Sequence, residues 1–223
     1  MTARPRRREK QYLAFAVYPG VTPLDLVGPL TVLRNLALGS PYRTVVVGER
    51  VEELPTDTTL RLLPAATFAD VPAPFAVVVP GGGAATVAAT EDAALLGYVR
   101  SAARTATVVG STGNGALVLA AAGLLAGRRA AAHWAWRDEL EALGATWAPE
   151  RWVEDGPFLT AAGGAAGIDM MLALLARLTS ESGARLAQLF MEYDPEPPFG
   201  RIEPSSTDAD LAGLLRTPRR RAG

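Results

Sequence analysis

The sequence predicts a three-layer α/β domain built on a mostly parallel sheet. Two observations carry that prediction. Short runs of β-branched and apolar residues, such as Val45-Val46-Val47 and Val77-Val78-Val79, are continuous rather than alternating, as in strands covered on both faces. These runs also alternate along the chain with segments of helical periodicity, the pattern of strand–helix–strand crossovers.

Taken in order, residues 12–18 read as the first strand, and residues 24–38 as a helix with Leu26, Leu30 and Leu33 at helical spacing. Strands are expected at 42–48 and 76–79, a helix at 91–104, a strand at 107–109 and a helix at 116–122. The Thr-rich stretch 51–63 suits a hairpin or an excursion at the sheet edge. Residues 147–160 suit another strand or two, and 166–178 and 181–193 two further helices. After Pro195 the composition turns to Pro, Ser, Asp and Arg. The expected organisation is a disordered tail over 1–11, one domain over 12–200 and a polar tail over 201–223, with no internal repeat.

Composition narrows the function classes. The chain has 223 residues, 49% hydrophobic and 20% charged, which fits one packed domain and excludes wholesale disorder. Its 22 basic and 23 acidic residues give a formal net charge of −1, without the basic excess expected of a nucleic-acid binder. No run approaches the roughly 18 apolar residues of a membrane span; the longest, 115–127, reads as a buried helix. Arg4, Arg6, Arg7 and Arg8 precede an apolar stretch, but Pro19-Gly20 ends it early and no small-residue cleavage site follows. A cytoplasmic protein with no nucleic-acid or membrane partner is expected. Cysteine is absent, which excludes disulfides, thiolate nucleophiles and cysteine-ligated metals. With a single histidine, His133, no transition-metal site and no cofactor are expected.

Three loops at predicted strand ends carry the candidate chemistry, since ligands of doubly wound sheets bind beyond the C-terminal strand ends. The first, 19–29, holds Asp25. The second is Pro80-Gly81-Gly82-Gly83. The third is Gly110-Ser111-Thr112-Gly113-Asn114-Gly115, between a strand and a helix. The third loop is neither a phosphate loop nor a dinucleotide fingerprint, and is closer to the tight elbow that holds a nucleophile above a sheet. Glycine-rich strand-to-helix turns let a ligand approach the backbone and point N–H groups at it. The same glycines serve equally as plain turns, Asp25 as a first-turn helix acid, and His133 beside Trp134 as a packed residue.

In combination these motifs resemble the DJ-1/PfpI superfamily, on its isonitrile hydratase branch. The resemblance rests on Tyr18-Pro19-Gly20-Val21-Thr22-Pro23-Leu24-Asp25-Leu26-Val27-Gly28-Pro29, Val79-Pro80-Gly81-Gly82-Gly83 and the helix 115–127. His133-Trp134, Thr160-Ala161-Ala162-Gly163-Gly164, Gly167-Ile168-Asp169 and Glu192-Tyr193-Asp194-Pro195 follow in the same order. It implies a flavodoxin-like fold of the class I glutamine amidotransferase type and a homodimer. The family elbow reads Ser-Val-Cys-Thr-Gly-Ala where this chain reads Ser111-Thr112-Gly113-Asn114-Gly115-Ala116, so Gly113 falls on the nucleophilic cysteine. Covalent catalysis by a thiolate is thereby removed. The resemblance leaves an enzyme doing cofactor-free acid–base chemistry on a small metabolite (hydration, elimination, isomerisation or cyclisation). Asp25, Asn114, Thr112 and His133 are its candidate catalytic residues. Gly82, Gly83, Gly113, Gly115 and Trp134 are its candidate substrate contacts. The alternative is a catalytically inactive ligand-binding sensor or carrier.

Overall fold

The computed structural model describes residues 10–37 and 40–200. A seven-stranded sheet runs through the middle of the molecule. Its strands are β1 (Gln11–Ala16), β2 (Tyr42–Gly48), β5 (Ala66–Thr67), β6 (Ala76–Val79), β7 (Val108–Thr112), β10 (Trp152–Asp155) and β11 (Phe158–Ala161). They stand in the order β10-β11-β7-β6-β1-β2-β5, and every pairing is parallel except β10 with β11. The expected mostly parallel α/β architecture is therefore what the chain adopts. Two small pairs lie outside it, the antiparallel hairpin β3 (Leu54–Pro55) with β4 (Arg61–Leu62) and the parallel pair β8 (Arg129–Ala131) with β9 (Thr146–Ala148).

Among the described residues seven α-helices complete the layers: α1 (Pro23–Leu33), α2 (Ala84–Ala89), α3 (Ala93–Ala103), α4 (Ala116–Ala121), α5 (Arg137–Ala142), α6 (Gly164–Leu178) and α7 (Glu181–Phe190). Proline at the start of α1 costs no hydrogen bond, because the first helical N–H groups have no intrahelical partner. Asp92 caps α3, its Oδ1 accepting from the amides of Ala94 at 2.9 Å and Leu95 at 3.0 Å. The valines of β6 and the alanines and Phe15 of β1 are fully buried, as strands covered on both faces require.

Several boundaries differ from the expectation. The strand at 107–109 extends to Thr112, so Gly110, Ser111 and Thr112 belong to β7 and the elbow is only the 3-10 turn Gly113–Gly115. Glycine at 110 hid the strand, because its low strand propensity masks a position where neighbouring backbone crowds in: a β-carbon there would stand 3.1 Å from the Leu159 carbonyl oxygen. The apolar run 115–127 is helical only to Ala121, ending in a turn that carries Gly123 at φ +78°. The last helix stops at Phe190, and the residues expected as a C-terminal tail, 201–223, lie outside the described residues.

From β1 the chain winds outward to β2 and β5, then returns to β6 on the other side of β1. That reversal is the topological switch point, and the loops leaving β1, β6 and β7 meet beyond it. Helix α6 packs against α1 and reaches β7 through Gly167, where a β-carbon would come within 2.7 Å of Thr112 Cγ2 and 3.3 Å of Pro29 Cγ. Gly167→Ala should therefore overpack this contact and destabilise the fold by about 1–3 kcal/mol. Its urea midpoint, compared with that of the unmodified protein, measures the effect.

Candidate functional site

The first-turn acid of α1 is the centre of the site. Asp25 is 7% exposed, and its Oδ2 accepts from the Gly81 amide at 3.2 Å. The Gly164 amide, at the start of α6, also supports the carboxylate. The Asp25 backbone is pinned on both sides: its N–H donates to the Thr22 carbonyl at 3.1 Å, and its own carbonyl accepts from Thr112 Oγ1 at 2.8 Å. Burial pushes the Asp25 carboxyl up to about 6, and the nearby negative charge of Asp57 adds to the rise. The two amides pull the other way without cancelling it.

Gly113 sits directly against this carboxyl. Its φ of +56° lies in the left-handed region that an L side chain adopts only with strain. A β-carbon on residue 113 would stand 2.1 Å from Asp25 Oδ2 and 3.2 Å from its Cγ. The space beside the elbow backbone is thus filled by Asp25.

Asn114 faces the other way, into a buried network behind the loops. Its Oδ1 accepts from the Gly82 amide at 3.1 Å and from Thr86 Oγ1 at 2.9 Å, while its Nδ2 donates to the Gly83 carbonyl at 2.7 Å. Thr86 in turn accepts from the Gly82 amide at 2.8 Å and lies 2.8 Å from the hydroxyl of Tyr18, which donates to the Pro80 carbonyl. The Gly82 N–H is therefore engaged within the protein. Gly115 brings the elbow onto β6, with a β-carbon position 2.2 Å from the Val79 carbonyl oxygen, whereas a β-carbon on Gly83 would face open space. Thr112 is wholly buried, its hydroxyl spent on Asp25.

His133 is brought to the elbow by its backbone, its N–H donating to the Gly113 carbonyl at 3.4 Å. Its Nδ1 accepts from the Ala135 amide at 3.3 Å, so the neutral ring carries its proton on Nε2. Burial holds the imidazole below its ordinary range. Trp134 is half-buried beside it, the two rings 5.3 Å apart. Asp25, Gly113 and the His133 backbone thus meet at one place, while Asn114, Gly82 and Thr112 brace it. Among the described residues no three His, Asp or Glu side chains are grouped as metal ligands, and no helix is long and apolar enough to cross a membrane.

Five contributors were not singled out from the sequence: Tyr18, Thr86, Gly81, Gly164 and Asp57. Tyr18, Gly81 and Gly164 stand inside the quoted motifs, where their hydrogen-bonding roles are not visible. Thr86 is one polar residue in an alanine-rich helix and offers no signal. Asp57 sits in the hairpin excursion, its Oδ2 accepting from Thr22 Oγ1 at 2.6 Å and its N–H bound to the Val21 carbonyl. An acid within that Thr-rich stretch was the available hint.

The DJ-1/PfpI family model matches residues 12–177. The chain belongs to the DJ-1/PfpI family. It is 39% identical over 210 residues to a Pseudomonas putida protein named isonitrile hydratase, spanning 94% of this chain and 89% of that one. A ThiJ/PfpI family protein from Pseudomonas syringae superposes with a TM-score of 0.84 at 34% identity, over 93% of this chain and 85% of its own. The HTH-type transcriptional regulator CdhR of Pseudomonas aeruginosa is 38% identical over 115 residues, 50% of this chain but 32% of that protein.

The raised carboxyl of this DJ-1/PfpI domain has a testable linkage. Because Asp25 holds its proton more tightly folded than unfolded, its contribution to stability should fall as pH rises from about 4 to about 6 and stay level above. A rise from the ordinary aspartate value to about 6 makes the step about 3 kcal/mol. Asp25→Asn should lack that step, read by calorimetric melting from pH 4 to pH 8. A wild-type profile parallel to that of the variant would contradict the buried acid.

Proposed function

We propose that this DJ-1/PfpI protein is a small-molecule enzyme that works by proton transfer at Asp25, without a covalent nucleophile and without a cofactor. The observation that carries the reading is the carboxyl itself: buried, raised to about 6 and lodged against an elbow whose residue 113 has no side chain. A carboxylic acid titrating near neutrality is suited to general acid–base catalysis. In the productive state Asp25 is protonated and donates to the substrate atom that gains electron density, and the resulting carboxylate is stabilised by the Gly81 and Gly164 amides. It then recovers its proton from water or from the product. Hydration, elimination, isomerisation and cyclisation all fit this cycle.

The other residues take supporting roles in this reading. The Nε2–H of His133 is a donor available to a substrate heteroatom, and Trp134 offers an apolar wall. Asn114 and Thr112 act as positioning residues, the first for the Gly82–Gly83 loop and the second for the Asp25 backbone. Gly83, facing open space, is where a ligand can come close to the chain. Leu24 and Val27 are exposed on α1 at 54% and 48%, one helical turn apart, and suit burial in a homodimer. Light scattering should return twice the chain mass.

The second reading is a ligand-binding protein without turnover, favoured by the bare elbow at Gly113. An alkyl isonitrile is the first substrate to offer, given the similarity to the Pseudomonas putida protein. Formamide formed by the unmodified protein and lost in Asp25→Asn, with ligand affinity within a few-fold, supports acid catalysis. The rate should then fall roughly tenfold per pH unit above about 6. Formamide formed equally by Asp25→Asn overturns the role of the acid, and ligand binding with no product from either protein favours the second reading.

A further inference from the structure

We infer that residue 113 is the positioning residue of the acid: the volume left empty by glycine is the seat of the Asp25 carboxyl, so a side chain at 113 and a seated Asp25 exclude one another.

The geometry leaves the carboxyl no room to share. A β-carbon at 113 would lie 2.1 Å from Oδ2, more than 1 Å inside ordinary contact. On its other sides the carboxyl is held just as closely. A β-carbon at Gly81 would stand 2.5 Å from the same Oδ2, and one at Gly164 would stand 3.0 Å from Oδ1. Three backbone segments without side chains therefore surround one carboxyl. The Asp25 main chain is fixed at the same time, by Thr112 Oγ1 on its carbonyl and by the Thr22 carbonyl on its N–H. Relief has to come from rotation of the Asp25 side chain, which breaks the Gly81 hydrogen bond.

In this chain, then, the glycine is a condition of the present site as well as the loss of a nucleophile. Replacing Gly113 by cysteine adds a thiol and displaces the acid that would assist it. A substitution at 113 changes two features together, and the two can be separated because the left-handed backbone strain at 113 does not depend on Asp25.

The test is a double-mutant cycle on folding, using the full chain without substrate: wild type, Gly113→Ala, Asp25→Ala and the double variant, melted calorimetrically at pH 7. Alanine at 113 carries the same positive-φ strain in both backgrounds. The expected result is a fall in melting temperature on Gly113→Ala that is larger by several degrees when Asp25 is present. Equal falls in the two backgrounds overturn the proposal. Should Gly113→Ala fail to fold, recovery of folding in the Asp25→Ala background supports it and failure there also overturns it. A second readout is the carbon-13 titration of the Asp25 carboxyl, assigned by its loss in Asp25→Asn. In Gly113→Ala the carboxyl resonance should shift as the Gly81 hydrogen bond breaks, and a resonance and titration curve unchanged from the unmodified protein overturn the proposal. Neither measurement needs turnover, so their outcome is read independently of the acid–base function.

Discussion

The arrangement around the switch point depends on one contact, the Asp25 carboxyl held by the amides of Gly81 and Gly164 against the bare backbone of Gly113. Three loops from three strands converge on it, and each gives up side chains to do so. A carboxyl in such a setting is subject to two opposed effects. Amide hydrogen bonds favour its ionised form, and removal from water favours its neutral form. Here burial is the larger effect, so the acid keeps its proton to a higher pH than an exposed aspartate would.

The bracing behind the site explains how such backbone crowding is tolerated. Tyr18 at the end of β1, Thr86 on α2 and Asn114 on the elbow form a buried polar network that satisfies the Pro80 and Gly83 carbonyls and the Gly82 amide. Each of those groups would otherwise be desolvated without a partner, at a cost of about 1–3 kcal/mol. The network therefore secures the glycine loop against the elbow. It also engages the Gly82 N–H within the protein, whereas Gly83 borders open space.

How much of this was legible in the sequence differs between fold and site. Continuous valine runs mark parallel strands, so β2 and β6 were readable to the residue, although only β6 is buried throughout and β2 is half-buried from Tyr42 to Val46. Elements whose pattern is diluted by alanine and glycine, such as α2 and the end of β7, were not, because neither composition nor period separates them from a loop. Asp25 and the elbow could be placed from their position after strand ends and from the family resemblance. That Asp25 occupies the volume beside Gly113 could not, since it depends on the approach of two backbone segments far apart in the chain. Asn114 shows the limit most clearly. Its polarity and position make it a catalytic candidate, and its hydrogen bonds to the neighbouring glycine loop and Thr86 are not visible in the sequence.

The chemistry open to the site follows from the carboxyl that lies against residue 113. A carboxylate is a harder and weaker nucleophile than a thiolate, so a carboxyl lodged beside a bare elbow is better suited to proton transfer than to covalent attack. A carboxyl titrating near 6 is roughly one-tenth protonated at pH 7, enough to act as an acid while its conjugate base remains available to take the proton back. An acid of ordinary strength would be almost entirely ionised at that pH, and one raised several units further would be too weak to donate. The burial that raises Asp25 and the glycines that admit it are thus one feature seen twice: the cage sets both where the proton sits and how readily it leaves.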